Sequence, residues 1–157
     1  MPLFITSHKT PVGTLNLLAD DQILIGANLS TVSAFKAGRD VKIVKYIPVI
    51  SDLIHDYFDG DLTALSGIKV RQPGAAFSQA AWKAMRKIAP GKTWSYADLA
   101  EKAGSPAAVR AAGSACANNA IMLVVPCHRV VKTGGALGNY AYGVDKKQWL
   151  LSHEGFL

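Results

Sequence analysis

Residues 124–131 read Val-Val-Pro-Cys-His-Arg-Val-Val, which sets a thiol beside an imidazole between two apolar runs. A buried thiol is usually an inert small hydrophobe, whereas a thiol beside a base can ionise and attack. Free cysteine, with a pKa of about 8.5, is only slightly ionised at neutral pH, so a neighbouring base decides its reactivity. The chain holds two cysteines, Cys116 and Cys127. They lack the paired spacing of a zinc site and give no sign of a secreted disulfide framework. Residues 1–70 contain no cysteine and only His8 and His55, so neither a metal nor a cofactor is expected.

The elements that must position this thiol fall into two halves. Residues 1–70 carry six basic and seven acidic side chains, a net of −1, while 71–157 carry eleven and four, a net of +7. The positive excess therefore surrounds Cys127 and suggests a polyanionic partner, nucleic acid before membrane, against the plainer reading of a basic soluble surface. Half the residues are hydrophobic, enough for a sizeable core. No apolar run approaches a membrane span and the N-terminus has no signal pattern, so a cytoplasmic protein is expected.

The first half reads as β-rich. LFIT, TLNLL and QILIGANL are short apolar runs split by turn signals, VKIVKYI (41–47) alternates as a strand would, and PVISDLIHDYFDG reads as a helix. The Gln72-Pro73-Gly74 region marks a boundary, giving domains 1–72 and 73–157. In the second half FSQAAWKAMRKI places Ala81, Trp82, Met85 and Ile88 on one helical stripe. Ser95 and Asp98 have capping-box spacing before ADLAEK, and Gly104 supplies a stop. Ser105 as N-cap and Pro106 at the first helical position then predict a second helix, SPAAVRAAGSACANN. Two short helices around a glycine turn make a helix-turn-helix candidate, although many helical hairpins bind nothing. The second helix is rich in Ala and Gly, with Arg110 its one long cation.

With these segments in order, the sequence from Phe77 to Gly155 resembles the O6-alkylguanine-DNA alkyltransferases, also called methylated-DNA–protein-cysteine methyltransferases. The resemblance is carried by GKTWSYADLA, the Ala/Gly helix with Arg110, Asn119, VPCHRVV, GNY at 138–140 and the closing K-x-x-L-L-x-x-E-G at 147–155. It implies an α+β fold: an N-terminal RNase H-like antiparallel-sheet domain, then a mostly helical, winged-helix-like domain with a helix-turn-helix. It also implies DNA repair by irreversible self-alkylation, one molecule per lesion, with the alkyl group leaving O6 of a flipped guanine, and O4 of thymine an open second substrate. Cys127 matches the acceptor, His128 the base acting through a water, and Glu154 the carboxylate that orients it, in the manner of hydrolase triads. Tyr96 matches a proton donor to the departing guanine, Lys147 a further charge in the site, and Asn119 a hinge, beside an equally eligible Asn118. Arg110 matches a finger that fills the gap left by the flipped base. Ser95, Tyr96 and the small residues Ala111, Ala112 and Gly113 match a surface that enters the minor groove of double-stranded DNA with little sequence preference. Tyr140, Val130 and Tyr142 line the implied base pocket, with the Cys127 and Val130 carbonyls facing the guanine amine. A monomer in solution is implied, with cooperative assembly on DNA left open.

Two departures stand out. The family commonly has Pro-x-Pro after its asparagine, where this chain has Ala120-Ile121-Met122. It commonly has glycine where Tyr142 stands, so Tyr142 is expected to narrow the pocket against bulky adducts. Its added phosphotriester-repair domain and its structural zinc are not expected here. Alternative readings are a damage-sensing alkyltransferase-like module without chemistry, which characteristically lacks the acceptor cysteine, a helix-turn-helix repressor, and a Cys-His hydrolase.

Overall fold

The computed structural model describes residues 2–157, and the chain forms two compact units. The first runs to Gln72 and includes Ala120–Val124; the second comprises Pro73–Asn119 and Val125–Leu157. Its folding is mixed α+β, with an antiparallel-dominated sheet in the first unit and mainly helices in the second.

In the first unit, β1 (Leu3–Thr10), β2 (Gly13–Ala19) and β3 (Ile23–Asn28) form an antiparallel meander. The Pro11-Val12 loop sets the first register, Thr10 opposite Gly13 and Phe4 opposite Ala19. A short helix α1 (Ser33–Lys36) puts Phe35 against Ile5 and Leu18. Strand β4 (Val41–Ile43) pairs parallel to β1. The alternation of 41–47 predicts a longer strand, but the ladder stops early. The Ile47 N–H donates to Ser51 Oγ, and Pro48 has no N–H to offer. Helix α2 (Ile50–Phe58) buries Ile50, Ile54 and Tyr57, and β5 (Lys69–Val70) closes the sheet in the order β4-β1-β2-β3-β5.

The segment Ala120–Val124 joins this unit from far along the chain. Ala27 N–H donates to the Ala120 carbonyl at 2.9 Å, Met122 N–H to the Ala27 carbonyl at 3.2 Å, and Ala120 N–H to Gln72 Oε1 at 2.8 Å. Residues 120 and 122, where the family commonly carries prolines, here spend their N–H groups on hydrogen bonds that proline cannot make.

The second unit holds α3 (Ala76–Met85), β6 (Trp94–Ser95), α4 (Tyr96–Lys102), α5 (Val109–Ala117), β7 (Val130–Val131) and α6 (Val144–His153). Ala81, Trp82, Met85 and Ile88 are all buried, although Ile88 lies past the last turn of α3. The capping box forms as read: Asp98 N–H donates to Ser95 Oγ at 3.0 Å and Ser95 N–H to Asp98 Oδ2 at 2.9 Å. Helix α5, by contrast, starts three residues later than its sequence signals suggest. Ala108 N–H donates to the Ser105 carbonyl, so Ser105–Ala108 is a turn with Pro106 at its second position. Ser105 is thus not the N-cap. A parallel β6–β7 pair, Trp94 opposite Val130, brings the entry of α4 beside the strand that follows Cys127. Among the described residues no helix is long and apolar enough to cross a membrane.

Candidate active site

Cys127, His128 and Arg129 form one 3-10 turn, and all three side chains are buried. An arginine inside the run VVPCHRVV must find a partner, because an unpaired buried charge costs several kcal/mol. It finds Glu154, which caps the C-terminus of α6. Arg129 Nε donates to Glu154 Oε1 at 2.8 Å and Nη2 to Oε2 at 3.0 Å, while Nη1 donates to the Ile88 carbonyl at 2.7 Å. His128 Nε2 meets Glu154 Oε2 at 2.8 Å. Gly91 lies against this end of α6: with φ +83°, a Cβ there would stand 3.0 Å from the Glu154 carbonyl oxygen.

These contacts fix protonation states. Burial works to raise the Glu154 carboxyl, but the hydrogen bonds from His128 and Arg129, with the guanidinium's charge, outweigh it and hold it far below the usual carboxylate range. His128 is wholly buried; desolvation lowers its pKa, opposed by Glu154, and the imidazole is neutral at pH 7. A neutral ring beside a carboxylate donates its Nε2–H to it. That leaves Nδ1 as the basic nitrogen, and Nδ1 makes no hydrogen bond among the described residues. Burial raises the Cys127 thiol, partly offset by a hydrogen bond from Asn119 and the charge of Lys147. The resting acceptor is a thiol, and a base must take its proton.

Asn119, rather than Asn118, sits at the junction: its Nδ2 donates to the Val125 carbonyl at 2.8 Å and to Cys127 Sγ at 3.4 Å. Asn118 is the C-cap of α5. Lys147 is wholly buried and donates from Nζ to the Val130 carbonyl at 2.7 Å and the Asn139 carbonyl at 3.3 Å. The Val130 carbonyl, expected to face a base amine, thus already accepts an ammonium; the Cys127 carbonyl accepts the Val130 N–H.

A cleft of about 720 Å³ opens over Cys127, lined among others by Tyr96, Arg110, Cys116, Lys132 and Tyr140. That is ample for a purine. The Tyr96 hydroxyl is held protonated, chiefly by burial and then by the two cysteines. Gly138 gives it room, since a Cβ there (φ +78°) would come within 3.1 Å of that oxygen. Arg110 is exposed in the first turn of α5 at the edge of the cleft. Tyr142 is half-buried and stands edge-on to Tyr140, ring centroids 5.8 Å apart. On α5, Ala111 is exposed and Gly113 has open space where a Cβ would point. Ala112 differs from its expected place on the outer surface: with Ala115 it is buried on the inner face, as the helical period requires. There the small side chains let Trp82 Nε1 reach the Ala115 carbonyl at 2.9 Å.

Sequence reasoning gave no role to Arg129 or Cys116. The first had a signal, a charge inside an apolar run. The second had none, because only the packing of α5 turns Cys116 into the cleft. Among the described residues no group of His, Cys, Asp and Glu is arranged to hold a metal.

Fold and site together define a helix-turn-helix protein with a buried cysteine–histidine pair whose cysteine lines a cleft ample for a purine. Residues 76–156 match the family model described as 6-O-methylguanine DNA methyltransferase, DNA binding domain. The chain is 35% identical over 159 residues to the methylated-DNA–protein-cysteine methyltransferase of Shigella flexneri, covering 94% of this chain and 93% of that one. The crystal structure of Mycobacterium tuberculosis O6-methylguanine methyltransferase is similar at TM-score 0.82 and 29% identity, covering 97% of this chain and 92% of that one. The OGT of M. tuberculosis in complex with DNA is similar at TM-score 0.82 and 27% identity, covering 96% and 92%. The chain belongs to the methylated-DNA–protein-cysteine methyltransferase family.

Proposed function

We propose that this protein repairs double-stranded DNA by moving the alkyl group from O6 of a flipped guanine onto Cys127, once per molecule. The observation that carries this reading is the buried relay: Arg129 clamps Glu154, Glu154 holds His128 Nε2, and Nδ1 is left without a hydrogen bond on the residue next to Cys127, which lines a cleft ample for a purine.

The steps follow from these groups. His128 Nδ1 takes the Cys127 proton through a water, and Glu154 stabilises the imidazolium that results. The buried Lys147 ammonium and the Asn119 amide offset the thiolate's charge. The sulfur attacks the alkyl carbon in line, the carbon–O6 bond breaks, and Tyr96 gives its proton to the departing guanine. The product is a thioether with no easy return path, so the chain is consumed. Before this, the base must leave the duplex at a cost of a few kcal/mol, which Arg110 offsets by entering the stack. The exposed Ala111 and the half-buried Gly113, with Ser95 and Tyr96 at the start of α4, let this unit lie close in the minor groove without reading sequence. The excess positive charge of residues 71–157 suits that contact. Repair takes place in the cytoplasm, and O4-alkylthymine fits the same chemistry.

The test is intact mass after incubation with a duplex carrying one O6-methylguanine, followed by peptide mapping. One added methyl on the Cys127 peptide, saturating at one per protein, is the expected result. Tight binding with no mass change would overturn it in favour of a damage-sensing module.

A further inference from the structure

Cys116 takes no step in the alkyl transfer, yet it shares the cleft with the acceptor. Its side chain and that of Cys127 line the same cavity, and these two free thiols are the only cysteines of the chain. Asn119 ties their segments together. Its backbone N–H donates to the Cys116 carbonyl at 3.4 Å, and its side chain to Cys127 Sγ at 3.4 Å. The thiols also share an electrostatic environment. Cys116 is pushed up to about 12 by burial and by Cys127, with Lys147 opposing, and Tyr96 and Lys147 each respond to both sulfurs. The small residues of α5 around Cys116 (Gly113, Ser114, Ala117) line the same cavity.

We propose that Cys116 is a resolving thiol: when a peroxide entering the cleft oxidises Cys127, Cys116 captures the product as an intrachain disulfide. In the first step the peroxide O–O bond breaks, one oxygen joins the Cys127 sulfur, and the remainder leaves as water or an alcohol. The sulfur is oxidised by two electrons to a sulfenic acid. In the second step the Cys116 sulfur attacks, the S–S bond forms, the S–O bond breaks, and the hydroxyl leaves as water with the Cys116 proton. His128 serves the first step as it serves alkyl transfer, by taking the Cys127 proton. Without a second thiol the sulfenic acid reacts with a second peroxide, which gives up one oxygen and leaves as water or an alcohol, to form sulfinic acid, which ordinary thiols do not reverse. A disulfide is returned to two thiols by exchange, so an acceptor spent on peroxide is recovered for repair. The biological sense of this capture rests on Cys127 being the alkyl acceptor.

Reduced protein is treated with hydrogen peroxide, trapped with iodoacetamide, digested without reductant and mapped by mass. Wild type should lose about 2 mass units as an intrachain Cys116–Cys127 disulfide. It should stop accepting methyl groups, and regain acceptance after dithiothreitol. Cys116→Ser and Cys116→Ala should instead gain about 32 mass units on Cys127 and stay inactive after dithiothreitol. Each variant is scored against its own unoxidised acceptance, so altered folding or transfer does not enter. Sulfinic acid on Cys127 at equal yield in wild type and variants would overturn the proposal. So would a disulfide found only between chains, or an unchanged mass with acceptance intact. The unoxidised control separates the two readings, because failure to methylate Cys127 there sinks the acceptor role and leaves the disulfide result standing on its own.

Discussion

Replacing Glu154 by Gln tests the relay where its energetics are largest. The carboxylate is fully buried and receives Arg129 at 2.8 and 3.0 Å and His128 at 2.8 Å. An amide keeps one acceptor oxygen but turns two N–H donors toward groups that are themselves donors. It also leaves the Arg129 guanidinium, 6% exposed, without a counter-charge. Breaking a buried ion pair from one side costs about 3–5 kcal/mol. For a chain of 157 residues, each kcal/mol moves the melting midpoint by about 2–4 °C, so a fall of roughly 6–20 °C is expected. The control is Lys146→Ala. Its contact with Asp145 is 3.8 Å long, with the two side chains 36% and 77% exposed, and such a pair contributes less than about 1 kcal/mol. The assay is urea and thermal unfolding by circular dichroism, with alkyl transfer measured below the transition. Because the imidazole loses the acceptor that orients it, transfer should slow even where the variant is fully folded. A Glu154→Gln protein as stable as Lys146→Ala, or equally stable and fully active, would refute the relay.

The remaining predictions bear on different groups. Arg110→Ala should slow repair in duplex DNA by about 10- to 100-fold, the equivalent of the few kcal/mol of flipping it offsets, and leave reaction with free O6-benzylguanine unchanged; equal losses in both assays would remove the finger role. Tyr142→Gly should speed inactivation by free O6-benzylguanine, since it removes the ring braced against Tyr140; equal rates would show that Tyr142 does not limit the pocket. His8 and His128 are both lowered from 6.5, chiefly by burial, so the unfolded chain binds their protons first. Stability is then full above about pH 6.5 and falls below it, while transfer, which needs neutral His128, holds its rate through pH 6.5. A rate already halved at that pH would mean an imidazole of ordinary basicity.

What the sequence disclosed and what it hid divide along chain separation. The capping box of Ser95 and Asp98 spans three residues and needs only local geometry, so it forms as read. The adjacency of Cys127 and His128 is likewise local. The start of α5 differs from its sequence signals for a related reason: Ser105 and Pro106 satisfy the preferences of a helix start and of a β-turn alike, and the Ser105–Ala108 hydrogen bond selects the turn. The Ala/Gly content of α5 was legible as closeness, but not which residue faces which way. Burial of Ala112 and exposure of Ala111 depend on how α5 packs against α3, where Trp82, some thirty positions upstream, donates to the Ala115 carbonyl. Arg129 and Glu154 lie 25 positions apart and Arg129 and Ile88 41, so no spacing rule joins them. Yet in the proposed transfer they decide the chemistry. Arg129 alone would charge-pair any carboxylate, and His128 alone would be an inert core imidazole. Only with both on one carboxylate is Glu154 kept ionised while buried, His128 Nε2 committed, and Nδ1 left as the base. In the proposed transfer, the base next to the thiol of VVPCHRVV is therefore set up by a carboxylate at the far end of α6, held there by the arginine two residues after the thiol.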